Sequence, residues 1–224
     1  MSSTAVDRLL AAGLLCVAAS GVAAAAPDCR ARTPALLLER FVPADCERCW
    51  RTATPRDRQP GALLLDWVTP AGVDAPMAGA ALDEATARAG PTAPQETAYR
   101  ATPLERRGAP LLRITDGPGW NGYVGLRLVV TRRAPVPADA VAYVALVERV
   151  PAGSEGSPVE RQLVRAVAGP MGLGELATER KIEHLRAVRL PQTDRADRLA
   201  SVAWIETAQG RVIAAAQAPP PECR

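Results

Sequence analysis

The run Ala35-Leu36-Leu37-Leu38-Glu39-Arg40-Phe41-Val42, the break Pro43-Ala44-Asp45 and the pair Cys46-Glu47-Arg48-Cys49 decide the fold. The first stretch is apolar except at Glu39 and Arg40, and has the length of a buried strand. Pro43 to Asp45 interrupt it. A short helix is expected from Cys46 to Arg51, reaching Thr54 at most, because Pro55 and the Arg56–Pro60 loop end it. Ala62 to Val68 is a second apolar run of strand length. Strand, short crossover and strand read as a βαβ unit with parallel pairing.

Downstream, Met77 to Arg88 is rich in Ala, Leu and Glu and is expected as an amphipathic helix between Pro76 and Gly90. Pro91 to Arg107 has no clear period and reads as loop. Pro110 to Thr115 is a strand candidate that Asp116-Gly117-Pro118-Gly119 should end as a turn. Beyond it, Val124, Leu126, Leu128 and Val130 alternate with Gly125, Arg127, Val129 and Thr131, the pattern of a half-buried strand. Five more short apolar runs follow, at Val141–Val147, Leu163–Val167, Leu185–Leu190, Leu199–Ile205 and Val212–Ala216, the last two forming a hairpin about Gln209-Gly210. The expected class is α+β: an α/β half over residues 33–116, then an antiparallel β-sandwich-like half over 120–218.

The ends of the chain bear on its compartment. Met1 to Arg8 is short and polar, Leu9 to Val22 is apolar, and Ala23 to Ala26 are small, the pattern of a cleavable secretory signal over residues 1–26. The apolar run is short for a membrane span, and no later stretch approaches the roughly 20 residues needed. Cys16 would suggest a lipoprotein, but it sits mid-run behind Leu15. Removal of the signal leaves Cys29, Cys46, Cys49 and Cys223, an even set in an export context. Cys46 with Cys49, and Cys29 with Cys223 as a structural staple of the two ends, is the natural pairing of three. The expected location is the periplasm or the exterior.

Composition is that of a globular protein: of 224 residues, 48% are hydrophobic and 23% charged. Aromatics make up only 4%, so Ala, Val and Leu must fill the core. The net charge of +3 is spread without a basic block, which argues against nucleic-acid binding.

Cys46-x-x-Cys49 is the sharpest motif. At a helix start, the first sulfur lies near unpaired N–H groups that favour thiolate over thiol, and Arg48 adds positive charge. Cys46 is then the attacking or accepting sulfur, and Cys49 resolves. An inert disulfide remains the alternative. Zinc is disfavoured because there is no second Cys-x-x-Cys and His184 is the sole histidine, and no cofactor is expected. Ser154 or Ser157 with His184 lacks any fixed triad geometry. Gly169 to Gly174 lacks the helix and lysine of a phosphate loop. Asp66 and Asp116 are not brought together by anything in the sequence.

Leu38-Glu39-Arg40-Phe41 with Cys46 to Cys49 resembles the E-L-F-T-S-x-G-C-S-S-C-P signature of an exported bacterial family known as domain of unknown function 1223. Leu65-Asp66-Trp67, Ala109-Pro110-Leu111-Leu112 with Asp116-Gly117, Val164-Arg165-Ala166 and the Val202–Ile205 and Gly210–Ala215 hairpin are similar to its later segments, in order. The resemblance implies a thioredoxin-like first half and a β-rich second half. Glu39 stands where family members have glutamate; on the strand it shares the inward face of Leu37 and Phe41, either to carry the resolving thiol's proton or, as an edge carboxylate, to pair with an arginine. Pro110 takes the place of the proline that faces the disulfide in thioredoxin folds, or is an ordinary loop proline. The chain departs from the signature at Trp50, where the family has proline, and at Asp45, where it has glycine. Two functions follow from the whole reading. One is thiol–disulfide exchange with exported proteins or small thiols. The other is a non-catalytic envelope or secreted binding protein with structural disulfides.

Overall fold

The computed structural model describes residues 33–90, 94–105, 107–190 and 195–219. Residues 1–26, expected as a secretory signal, and Cys29 and Cys223 lie outside these residues.

Strand β1 (Leu36–Pro43) is buried on both faces along seven of its eight residues, so it sits inside a sheet. Leu37, Glu39 and Phe41 point to one face, and Leu38, Arg40 and Val42 to the other. Helix α1 (Glu47–Arg51) follows, with Cys46 as its N-cap. Strand β2 (Ala62–Thr69) then runs parallel to β1, Leu36 opposite Ala62 through Pro43 opposite Thr69. The βαβ reading therefore holds residue by residue.

On the other side of β1 lies β3 (Ala98–Pro103), antiparallel, with Phe41 opposite Ala98. This strand falls in the stretch expected as loop. None of its residues is fully buried and it forms a sheet edge, so it shows no apolar period. The Met77–Arg88 helix is broken in two, a 3-10 turn at Ala78–Ala80 and helix α2 (Asp83–Ala89). Between them Ala81 bridges to Val68, and the Leu82 N–H donates to the Val68 carbonyl at 3.0 Å, extending the β2 edge where helix was expected.

The strands expected as a separate second half divide between two sheets. β6 (Val141–Val150), β7 (Arg161–Gly172), β9 (Leu199–Glu206) and β10 (Val212–Gln217) extend the first sheet to seven strands, in the order β10-β9-β6-β7-β2-β1-β3. β7 meets β2 in parallel at Asp66 and Leu163. β4 (Leu111–Trp120), β5 (Tyr123–Thr131) and β8 (Lys181–Arg189) form a three-stranded antiparallel sheet. The molecule is thus a mixed seven-stranded α/β sheet with a smaller sheet and little helix. Asp116 to Gly119 does not turn the chain: it is a bulge within β4. The turn comes at Asn121-Gly122, whose φ angles of 48° and 77° suit a two-residue hairpin.

Alternation on β6 and β9 explains the layering. Ala142, Val144, Leu146, Ala203 and Ile205 pack with Ile114, Leu126 and Leu128 of the small sheet. Ala145, Val147, Val202 and Trp204 pack on the opposite face with Leu37, Phe41, Leu65 and Trp67.

Candidate functional site

Cys46 and Cys49 form a disulfide with Cα atoms 5.2 Å apart, at the carboxyl end of the parallel β1–β2 pair. That end is where open α/β sheets place their sites. Pro43 and Asp45 stop the strand, and the Cys46 N–H donates to the Pro43 carbonyl at 3.0 Å, closing the bend into α1. The two cysteines are unequally buried. Cys46 is half-buried, whereas Cys49 is 7% exposed. The Cys46 sulfur accepts from the Cys49 backbone N–H at 3.3 Å. Arg48 is exposed and pairs loosely with Glu96, at 3.5 Å, from the segment that enters β3.

Helix α1 lies over the Arg40 face of the sheet, where a charged cluster is sealed from water. Arg40, Asp66 and Arg161 are each 0% exposed. The Arg40 Nε donates to Asp66 Oδ1 at 2.6 Å, and the Gln162 N–H donates to Asp66 Oδ2 at 3.0 Å. The Arg161 Nη1 lies 3.0 Å from Asp57 Oδ1, while its Nε donates to Ser157 Oγ and its Nη2 to the Thr52 carbonyl. Trp50 covers the group: the Arg40 and Arg161 guanidinium carbons stand 5.4 Å and 5.7 Å from its ring centre. Its own indole N–H donates to the Glu155 carbonyl at 2.9 Å. Trp50 is therefore the roof of a buried ionic cluster and is joined directly to Cys49.

The charges in this cluster shape one another. Burial works against the Asp57 carboxylate, but the Thr54 N–H, Arg161 and the Tyr99 hydroxyl outweigh it and hold Asp57 below its ordinary 3.8. Burial pushes Asp66 upward, with Arg40 and Arg161 pulling against it. Two arginines against two aspartates balance the charge, which is the condition for keeping such groups in a dry interior. Neither Arg40 Nη atom has a hydrogen-bond partner among the described residues, so the Trp50 ring is what these N–H groups meet.

Glu39 is fully buried on the face shared with Leu37 and Phe41. There it is held by Arg88 of α2, and by Arg100 of β3, whose Nε and Nη2 donate to Oε2 at 2.8 Å and 2.7 Å. Arg88 also reaches Glu206 at 2.8 Å. This is the α2 face, across the sheet from α1, so Glu39 and the disulfide are not brought together. Pro110 stands just before β4 and lines a cleft of about 420 Å³ with Leu104, Leu111 and Ala215. The strand beside β1 is instead β3, which starts near the disulfide end, with Ala98 opposite Phe41, and runs away from it. A separate groove of about 320 Å³ runs beside α1, lined by Glu47, Trp50, Met77, Glu148 and Arg165. Burial pushes the Glu148 carboxyl upward there, with Arg165 opposing.

The remaining candidates are dispersed. Ser157 belongs to the Arg161 cluster, Ser154 donates to the Pro151 carbonyl, and His184 sits on β8. Among the described residues, no group of three or more His, Cys, Asp or Glu side chains is placed to hold a metal ion. No described helix is long and apolar enough to cross a membrane.

The Arg40–Asp66–Arg161–Asp57 cluster was not singled out in the sequence. The available signal was Glu39-Arg40 inside a run with the length and flanks of a fully buried strand. Two adjacent charges there must each find a partner on opposite faces, and they do.

No protein-family model matches the chain, and no curated protein matches it. The resemblance to the exported family therefore rests on the motifs quoted above. Among solved structures, HBP35 of Porphyromonas gingivalis superposes with a TM-score of 0.54 at 10% identity, covering 84% of this chain and 77% of that one. At that identity the likeness is one of fold: the chain is similar in architecture to HBP35.

Proposed function

We propose that the chain is an exported thioredoxin-like protein that exchanges thiols and disulfides through Cys46 and Cys49. The observation that carries this reading is the unequal burial of the two cysteines at the carboxyl end of a parallel strand pair. An incoming thiolate attacks the sulfur of the less buried Cys46, the Cys46–Cys49 bond breaks, and Cys49 leaves as the thiolate. In the other direction a Cys46 thiolate attacks a partner's disulfide, and Cys49 resolves the mixed disulfide. The chemistry needs no cofactor. Partners of this reading are exported proteins or small thiols, in the periplasm or outside the cell. The likeness in fold to HBP35 and the secretory pattern of residues 1–26 support it.

Two single variants test the asymmetry. Cys49→Ser leaves Cys46 free and should form a mixed disulfide with oxidised glutathione at least about tenfold faster than Cys46→Ser does, because access and thiolate character govern the rate. Equal rates would remove the basis for assigning Cys46 as the reacting sulfur.

A second reading is favoured by Trp50. The disulfide ties down the short helix that presents the indole over Arg40 and Arg161, and a purely structural clip would do the same.

A further inference from the structure

Among the described residues five large hydrophobic side chains are exposed, and four of them, Leu111, Trp120, Tyr123 and Leu185, lie on the outer face of the three-stranded sheet. Register places them in rows. Trp120, Tyr123 and Arg189 stand side by side at the hairpin tip, with Trp120 77% and Tyr123 52% exposed. Thr115, Arg127 and Leu185 form a row farther in, then Arg113, Val129 and Glu183, then Leu111, Thr131 and Lys181. Between the tip and these rows Gly125 pairs with Ala187, and a Cβ on Gly125 would meet nothing within 4 Å. That row therefore carries little side chain between the two longer-chained rows.

We propose that this face docks the protein on an anionic phospholipid surface. Its charge selects the partner. Arg113, Arg189 and Lys181 are exposed, and the face's one acid, Glu183, is already held by Arg127 through two bonds of 2.6 Å. A second copy laid face to face about a two-fold axis would set basic side chain against basic side chain without an acid to answer them. An anionic plane answers all three. Trp120 and Tyr123 at the tip of a hairpin carry amphipathic rings of the kind that settle at a lipid–water boundary. This surface is remote in function from the Cys46–Cys49 pair, and the inference stands without the exchange reading.

Co-sedimentation of the full chain with vesicles tests it, comparing phosphatidylcholine alone with phosphatidylcholine containing phosphatidylglycerol, at low and high salt. The comparison is among variants that all keep the apolar Leu9–Val22 segment, so its contribution is common to every measurement. The wild type should bind the anionic vesicles and be released by salt. Arg113→Glu with Arg189→Glu should weaken binding at least about tenfold, since each basic residue near an anionic surface contributes roughly fivefold. Trp120→Ala with Tyr123→Ala should weaken it several-fold. All four side chains are exposed, so the melting temperatures should be unchanged. Binding indifferent to lipid charge, or both double variants binding as the wild type does, would overturn the proposal. So would a concentration-dependent dimer that the double variants abolish, which would make the face a contact between copies.

Discussion

Trp50 follows Cys49 directly, is 7% exposed, and stacks above two arginines that have no water to face. Removing the ring would open a cavity over Arg40 and Arg161 and let water reach a cluster balanced for dryness. Trp50→Ala is expected to lower stability by about 3–5 kcal/mol. Trp50→Phe keeps the aromatic cover and loses the bond to the Glu155 carbonyl, which amounts to about 1 kcal/mol. Chemical denaturation of the two variants with the disulfide intact checks both figures. At this scale the sequence was partly legible. It placed Cys46 and Cys49 together at a helix start, and it placed Glu39 inward with Leu37 and Phe41. It did not show that Glu39 would meet Arg88 and Arg100, because those arginines arrive from elements 49 and 61 residues away.

The 3-10 turn at Pro55–Arg58 connects α1 to β2 and depends on one carboxylate. Asp57 accepts from the Thr54 N–H at 2.7 Å and from the Tyr99 hydroxyl at 2.9 Å, and pairs with Arg161. Its folded-state pKa lies below the ordinary 3.8, so the folded protein binds fewer protons here than the unfolded chain near that pH. The stabilisation is complete above the unfolded value and is lost as pH falls through the folded one. Thermal melts of the wild type and Asp57→Asn should therefore differ most above about pH 4 and converge as acidification proceeds below it. A difference that stays constant across that acid range would show that Asp57 acts through packing alone. Element by element, β1, α1 and β2 were readable from an apolar run, a proline break and a cysteine pair. β3 was not, since an edge strand half-open to solvent has no apolar period. Helix α2 came out shorter than expected because Ala81 and Leu82 extend the edge of β2, a tertiary demand that helix propensity does not report.

At the scale of the whole molecule, the two halves expected in sequence interleave. β7 borders β2, and Trp204 of β9 packs edge-on to Trp67 of β2 with ring centres 6.2 Å apart. Arg88 bridges Glu39 to Glu206 across the same boundary. Residues 33–116 expressed alone would leave Trp67 without Trp204, and Asp66 without Arg161 and the Gln162 N–H. That fragment is expected to show no cooperative melt by circular dichroism, while the whole chain melts in one transition. A folded, cooperative fragment would mean that the large sheet is two independent units. Such interleaving is hidden from a linear reading, because each strand's period tells which face is buried and not which neighbour covers it.

The exchange reading turns on the Cys46–Cys49 potential. Equilibrating the protein in graded glutathione buffers and mass-tagging its free thiols measures that potential directly. The account expects a value among known exchange proteins, between about −120 and −270 mV. A value below about −300 mV, or a disulfide that resists reduction until the protein unfolds, would contradict it and leave the bond as the clip that holds Trp50 over its arginines.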